Sequence, residues 1–197
     1  MKILVVSDET TPGLWDYYSR DKTAGVELII SCGDLKKEYL EFLTTIVNVP
    51  LLYVRGNHDE SYEKNPPEGC TDIDGKVFEY RGIRIVGLGG SRKYREGSCM
   101  YTEKQMSRRI RKLRRRIKKA GGVDLLVTHA PVRGLGDLED LPHRGFSCFD
   151  DFLTEYKPSC MLHGHVHKSY DYSFKRERIH ESGSRIINCS GSYILEI

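Results

Sequence analysis

Paired cysteines are missing from this chain. Its six cysteines, Cys32, Cys70, Cys99, Cys148, Cys160 and Cys189, stand apart with no C-x-x-C spacing. That argues against a cysteine-ligated zinc site and against a disulfide framework, and reduced thiols are expected. No apolar run approaches the roughly 20 residues of a bilayer span, so neither a spanning helix nor a membrane partner is expected. No charged-then-apolar leader precedes the strand-like run at residues 1–8, and a cytoplasmic location is the expectation. An internal repeat, a low-complexity tract and a linker are also lacking. At 197 residues the chain reads as one domain, 1–197. A domain of that size buries roughly 70% of its unfolded surface and needs no staples.

Charge is present but unevenly placed. The net value is only +3, yet residues 108–119 hold nine Lys or Arg. The rest of the chain is therefore acidic, and a basic module sits on an acidic body.

Five short apolar runs read as strands buried on both faces: 3–6, 28–31, 51–54, 124–128 and 160–162. Between the second and third, Tyr39, Phe42, Leu43, Ile46 and Val47 follow helical spacing. A shorter helix is expected after Pro12-Gly13. The opening is thus β-α-β-α-β, which calls for parallel strands with helices outside. Residues 71–74, 76–80 and 83–87 read as a meander of short strands. Met106, Ile110, Leu113 and Ile117 form the apolar stripe of a helix over 105–119, stopped by Gly121-Gly122. Ser147 is expected to cap a helix carrying Phe149, Phe152, Leu153 and Tyr156. Strands are expected again at 169–175, 185–189 and 193–197. The architecture that results is an α/β fold of two sheets packed face to face, with helices on both outer sides.

The chemistry-bearing residues fall just after these strands. They are Asp8, Gly33-Asp34, Gly56-Asn57-His58-Asp59, His129 and Gly164-His165-Val166-His167. In parallel sheets the loops at the carboxyl ends of strands build the ligand site. Carboxylate, amide and imidazole from five separated segments suit divalent cations of hard to borderline character. A carboxylate at Asp34 can bridge two of them. His58 can donate a proton to a leaving oxygen, with Asp59 beside it to hold the ring. His163, in the same run, reads as a supporting core histidine.

This set resembles the calcineurin-like metallophosphoesterase superfamily, whose motifs are D-x-H, G-D, G-N-H-[DE], a lone H and G-H-x-H. All but the first are intact. The size and the segment 128–144 look most like the small single-domain branch that includes class III cyclic-nucleotide-phosphodiesterase-like and metallophosphoesterase-domain-containing proteins. The resemblance implies a four-layer α/β/β/α sandwich and a dinuclear metal centre. One metal would take Asp8, Asp34 and His167, and the other Asp34, Asn57, His129 and His165. His58 would be the catalytic histidine and Asp59 its orienting partner. Manganese is the first choice of metal, with iron, zinc, nickel and magnesium as alternatives. A water or hydroxide bridging the metals would attack a phosphomono- or phosphodiester.

The first motif departs from the family. It reads Asp8-Glu9-Thr10, so Thr10 stands where a His is expected. On an extended chain residue 10 returns to the side of residue 8, and Glu9 reaches in only if the loop bends. The expectation is a weakened first site. Substrate contacts are expected from the loop 130–145, through Arg133, His143 and Arg144, with a phosphate-ester small molecule or nucleotide as partner. Two rival readings remain at this point. One is a ligand-depleted scaffold that binds proteins without catalysis. The other is a nuclease that holds nucleic acid on the basic helix.

Overall fold

A computed structural model describes residues 1–170 and 174–197. The strands in chain order are β1 (Lys2–Ser7), β2 (Val26–Ser31), β3 (Leu51–Tyr53), β4 (Cys70–Asp72), β5 (Lys76–Tyr80), β6 (Ile83–Leu88), β7 (Ser91–Arg92), β8 (Met100–Tyr101), β9 (Leu125–Thr128), β10 (Cys160–His163), β11 (Glu177–Ile179), β12 (Arg185–Asn188) and β13 (Gly191–Glu196). The helices are α1 (Lys37–Val47), α2 (Glu103–Ala120) and α3 (Ser147–Tyr156). One sheet runs β13-β1-β2-β3-β4 and the other β11-β12-β10-β9-β6-β5, with β7 and β8 as a small separate pair.

The apolar runs alternate between two cores, which is why they lack polar residues. Ile3, Val5, Leu28, Ile30, Leu52 and Val54 of the first sheet face Ile85, Leu125, Val127, Leu162 and Ile187 of the second. This dry layer joins the sheets face to face. On the outer side of the first sheet, Leu4, Val6, Ile29 and Leu51 pack on Tyr39, Leu40 and Leu43 of α1. On the outer side of the second, Leu126, Met161 and Ile186 pack on the stripes of α2 and α3. The result is the expected mixed α/β architecture of two large sheets flanked by helices.

The three helices differ in how they begin. α2 starts with a capping box: the Gln105 N–H donates to Thr102 Oγ1 at 3.3 Å, and the Thr102 N–H donates to Gln105 Oε1 at 2.7 Å. Ser147 is not the cap of α3 but its first residue; the cap position is Phe146, with no side-chain bond. The carboxylate of Glu103 takes its place, accepting from the N–H groups of Ser147 and Cys148. The start of one helix therefore closes the start of the other.

Three further expectations of the sequence need correction. Residues 71–74 do not join a meander: β4 pairs in parallel with β3 in the first sheet, while β5 and β6 form a hairpin in the second. The chain changes sheet at Asp74-Gly75, a switch that local alternation does not encode. The short helix after Pro12 is one 3₁₀ turn, Pro12–Leu14. The strand expected over 169–175 is not there in the described part: Lys168–Tyr170 is a 3₁₀ turn and the strand lies later, at β11. Positions 171–173 of that expectation lie outside the described residues.

Candidate metal centre

β1, β2 and β3 are mutually parallel, and so are β6, β9, β10 and β12. Their carboxyl ends meet at one rim. The contact between the two sheets there is polar: His129 Nδ1, after β9, lies 2.8 Å from the Cys32 carbonyl after β2, and the His165 N–H donates to Asp8 Oδ1 at 2.9 Å. Residues from position 8 to position 167 are thereby brought together.

Asp34, His129 and His165 offer ligand atoms that all lie within 4.8 Å of one another, the one such group of acidic, His or Cys residues among the described residues. His129 Nε2 is 3.2 Å from Asp34 Oδ2 and 3.0 Å from Asn57 Oδ1. The His129 and His165 rings are 4.8 Å apart. Asp8 and His167 stand beside this group, with His167 Nε2 3.8 Å from Asp8 Oδ1. They do not close a second group as tight as the first.

The backbone shows what holds these side chains in place. Asp8, Asp34 and His165 have φ of 63°, 56° and 72°. Left-handed backbone at a residue other than glycine costs about 1–3 kcal/mol and gathers at functional sites. Here it occurs at three candidate ligands and turns each back toward the rim. The flanking glycines leave room for them: a Cβ at Gly56 would strike the Asp34 carboxylate and the His129 ring, and one at Gly164 would strike Asp8 and Ser7. A pocket shaped around carboxylate and imidazole oxygen and nitrogen atoms fits a divalent cation.

The electrostatics agree. Burial opposes a charged His129, but Asp34 and Asp8 outweigh it and push its pKa up to about 9. Burial likewise works against the Asp34 carboxylate, yet His129 and the His58 N–H bring it down to about 2. The carboxylates of Asp34 and Asp8 make the hollow one that favours positive charge. His165 is held neutral by burial and by His129, with its pKa down at about 3.

His58 is exposed at the edge of the hollow, and its backbone N–H donates to Asp34 Oδ1 at 2.8 Å. Among the described residues its ring makes no hydrogen bond. Asp59 does not meet that ring, contrary to its expected orienting role. Its Oδ2 accepts instead from the N–H groups of Asp34 and Gly56, both at 2.8 Å. It is buried, and burial together with Asp34 raises its pKa to about 6. Asp59 pins the two ligand-bearing loops to each other.

The calcineurin-like phosphoesterase family pattern matches residues 1–169. The chain belongs to that family. Two solved structures share its fold. One is 14% identical, with a TM-score of 0.70, and covers 98% of this chain and 94% of that one. The other, TT1561 of Thermus thermophilus, is 13% identical, with a TM-score of 0.62, and covers 96% and 89%. No curated protein matches the sequence.

The loop residues expected to meet substrate are mostly engaged elsewhere. Arg133 pairs with Asp137 and Glu139 at 2.8 and 2.9 Å, and Arg144 donates to the Glu139 carbonyl. Both brace their own loop. His143 does reach the rim, its ring 5.2 Å from that of His165 and its Nδ1 2.6 Å from Asp140. Pro142 is closer to the chemistry, since its carbonyl lies 2.7 Å from His165 Nε2. The surface that sequence reasoning missed is on the other side. A groove of roughly 390 Å³ beside His58 is lined by Lys36, Lys37, Ser61 and Asn65 among others. The adjacent lysines directly after Gly33-Asp34-Leu35 were a readable signal for it.

Proposed function

We propose that this chain is a metal-dependent phosphoesterase that cleaves phosphomono- or phosphodiesters at a dinuclear centre. Asp34 carries the reading: it belongs to the tight ligand group with His129 and His165, and its second carboxylate oxygen, which accepts from the His58 N–H, is the one that would serve a second cation. When bound, divalent cations would supply acidified water and neutralise the phosphate charge. The mixed oxygen and imidazole donors suit divalent cations of hard to borderline character, with manganese the first candidate and iron, zinc, nickel and magnesium the others.

The chain's own groups would perform the rest. Asp34 would bridge the two cations and is kept ionised chiefly by His129. Asn57 adds a neutral oxygen without adding repulsion. His58 stands with a free ring at the mouth of the Lys36/Lys37 groove, positioned to protonate an oxygen departing into it. Lys37 there is engaged by Glu41 and Asn65, and the exposed Lys36 is the cation placed to meet an anionic leaving group such as a nucleotide. His143 is the one loop residue of the expected three that reaches the rim, beside His165.

The test is hydrolysis of p-nitrophenyl phosphate and bis-p-nitrophenyl phosphate with added Mn²⁺, comparing the protein with Asp34→Ala. Turnover of at least one ester is expected, with a loss of 10³-fold or more in the variant. A protein that binds metal and cleaves neither ester would be the protein-binding scaffold instead.

A further inference from the structure

The three imidazoles among the candidate ligands are held in one way. Each has one ring nitrogen at an oxygen acceptor and the other turned to the hollow. For His129 the acceptor is the Cys32 carbonyl at 2.8 Å, and for His165 the Pro142 carbonyl at 2.7 Å. For His167 it is a side chain: Nδ1 lies 2.7 Å from Glu9 Oε1, leaving Nε2 toward Asp8.

Glu9 belongs to the segment that departs from the family pattern. The extended path that would favour Thr10 is not taken. The left-handed turn at Asp8 and the Glu9 N–H donating to the Ser7 carbonyl at 2.6 Å bend the loop. Glu9 swings over His167, and Thr10 is left exposed.

We propose that Glu9 is the positioning residue for His167, and that this carboxylate–histidine pair completes the Asp8 site in place of a histidine at position 10. Its Oε1 accepts from Nδ1–H. That fixes the tautomer with a bare Nε2 facing Asp8, and the carboxylate charge makes the imidazole a stronger donor to a cation. The proposal rests on the dinuclear reading, in which Asp8 and His167 share one of two cations.

Two measurements on the full chain test it. Mn²⁺ titration by calorimetry and electron paramagnetic resonance should find two cations on the parent protein. In Glu9→Ala one affinity should stay and the other fall about 10–100-fold. Glu9→Gln, which keeps the acceptor without the charge, should lie between, and Thr10→Ala should match the parent. Long-range ¹H–¹⁵N spectra of the metal-free protein should place the His167 proton on Nδ1, and should lose that preference in Glu9→Ala. Two cations held equally by the parent and Glu9→Ala, or an unchanged His167 tautomer, would overturn the role of Glu9 alone. One cation on the parent would remove the dinuclear reading and this proposal together.

Discussion

His58 is the residue whose role is most separable from metal binding. Among the described residues its ring makes no hydrogen bond to a candidate ligand, and His58→Ala should lower turnover by about 10²–10⁴-fold. Metal content, read by inductively coupled plasma analysis, should not change. Full turnover in that variant would remove the histidine from the mechanism. His129 gives a pH signature to the metal-free protein. Its folded pKa of about 9 lies above the ordinary value near 6.5. The stability it contributes is fully present below about pH 6.5 and is lost as pH rises through 9. The melting temperature of the metal-free protein should fall over that window, and His129→Asn should flatten the fall. The Glu9–His167 pair shows where residue-level reading stops. The residue type at position 9 was visible, but its direction depended on the sign of one φ angle at Asp8, which no periodicity records.

At the level of elements, α2 does two jobs. Its stripe of Met106, Ile110, Leu113 and Ile117 is buried against the second sheet, and its first turn closes α3 through Glu103. Thr102→Ala should cost about 1 kcal/mol by loss of the capping box. Leu113→Ala should cost about 2–5 kcal/mol by leaving a cavity. Urea unfolding of both variants checks the order as well as the size. Most basic residues of α2, Arg108, Lys112 and Arg115 among them, are exposed; Arg109 is the exception, half-buried against Asp74 and the Gly89 carbonyl. Replacing Arg108, Lys112 and Arg115 with Gln should leave turnover of small esters unchanged. A drop on those substrates would give the basic face a part in catalysis. The helices and the central strands were legible because burial on both faces imposes continuous apolar runs, and an amphipathic helix imposes its own period. β4 was not, because a three-residue edge strand carries too little pattern to say which sheet it joins.

Across the whole molecule, the rim is a product of parallel topology. Strands that run the same way deliver their following loops to one edge, and packing two such sheets face to face puts those edges side by side. That put Asp8, Asp34, Asn57, His129, His165 and His167 just after strands, where the sequence could flag them, and the resemblance to the family motifs named them as a ligand set. The surface proposed to face substrate was harder to read. Arg133 and Arg144 have the right charge, but their acidic neighbours claim them, and such pairing is a property of the folded loop. The Lys36/Lys37 groove is formed by two segments far apart in sequence, and only the fold shows that they share a space with His58. The measurement that bears most directly on the central claim is anomalous diffraction at the manganese edge from crystals soaked in Mn²⁺. The expected result is a peak ~2.2 Å from Asp34, Asn57, His129 and His165, with a second beside Asp8 and His167. Maps with no peak touching Asp34 would contradict the proposed centre and the phosphoesterase chemistry assigned to it.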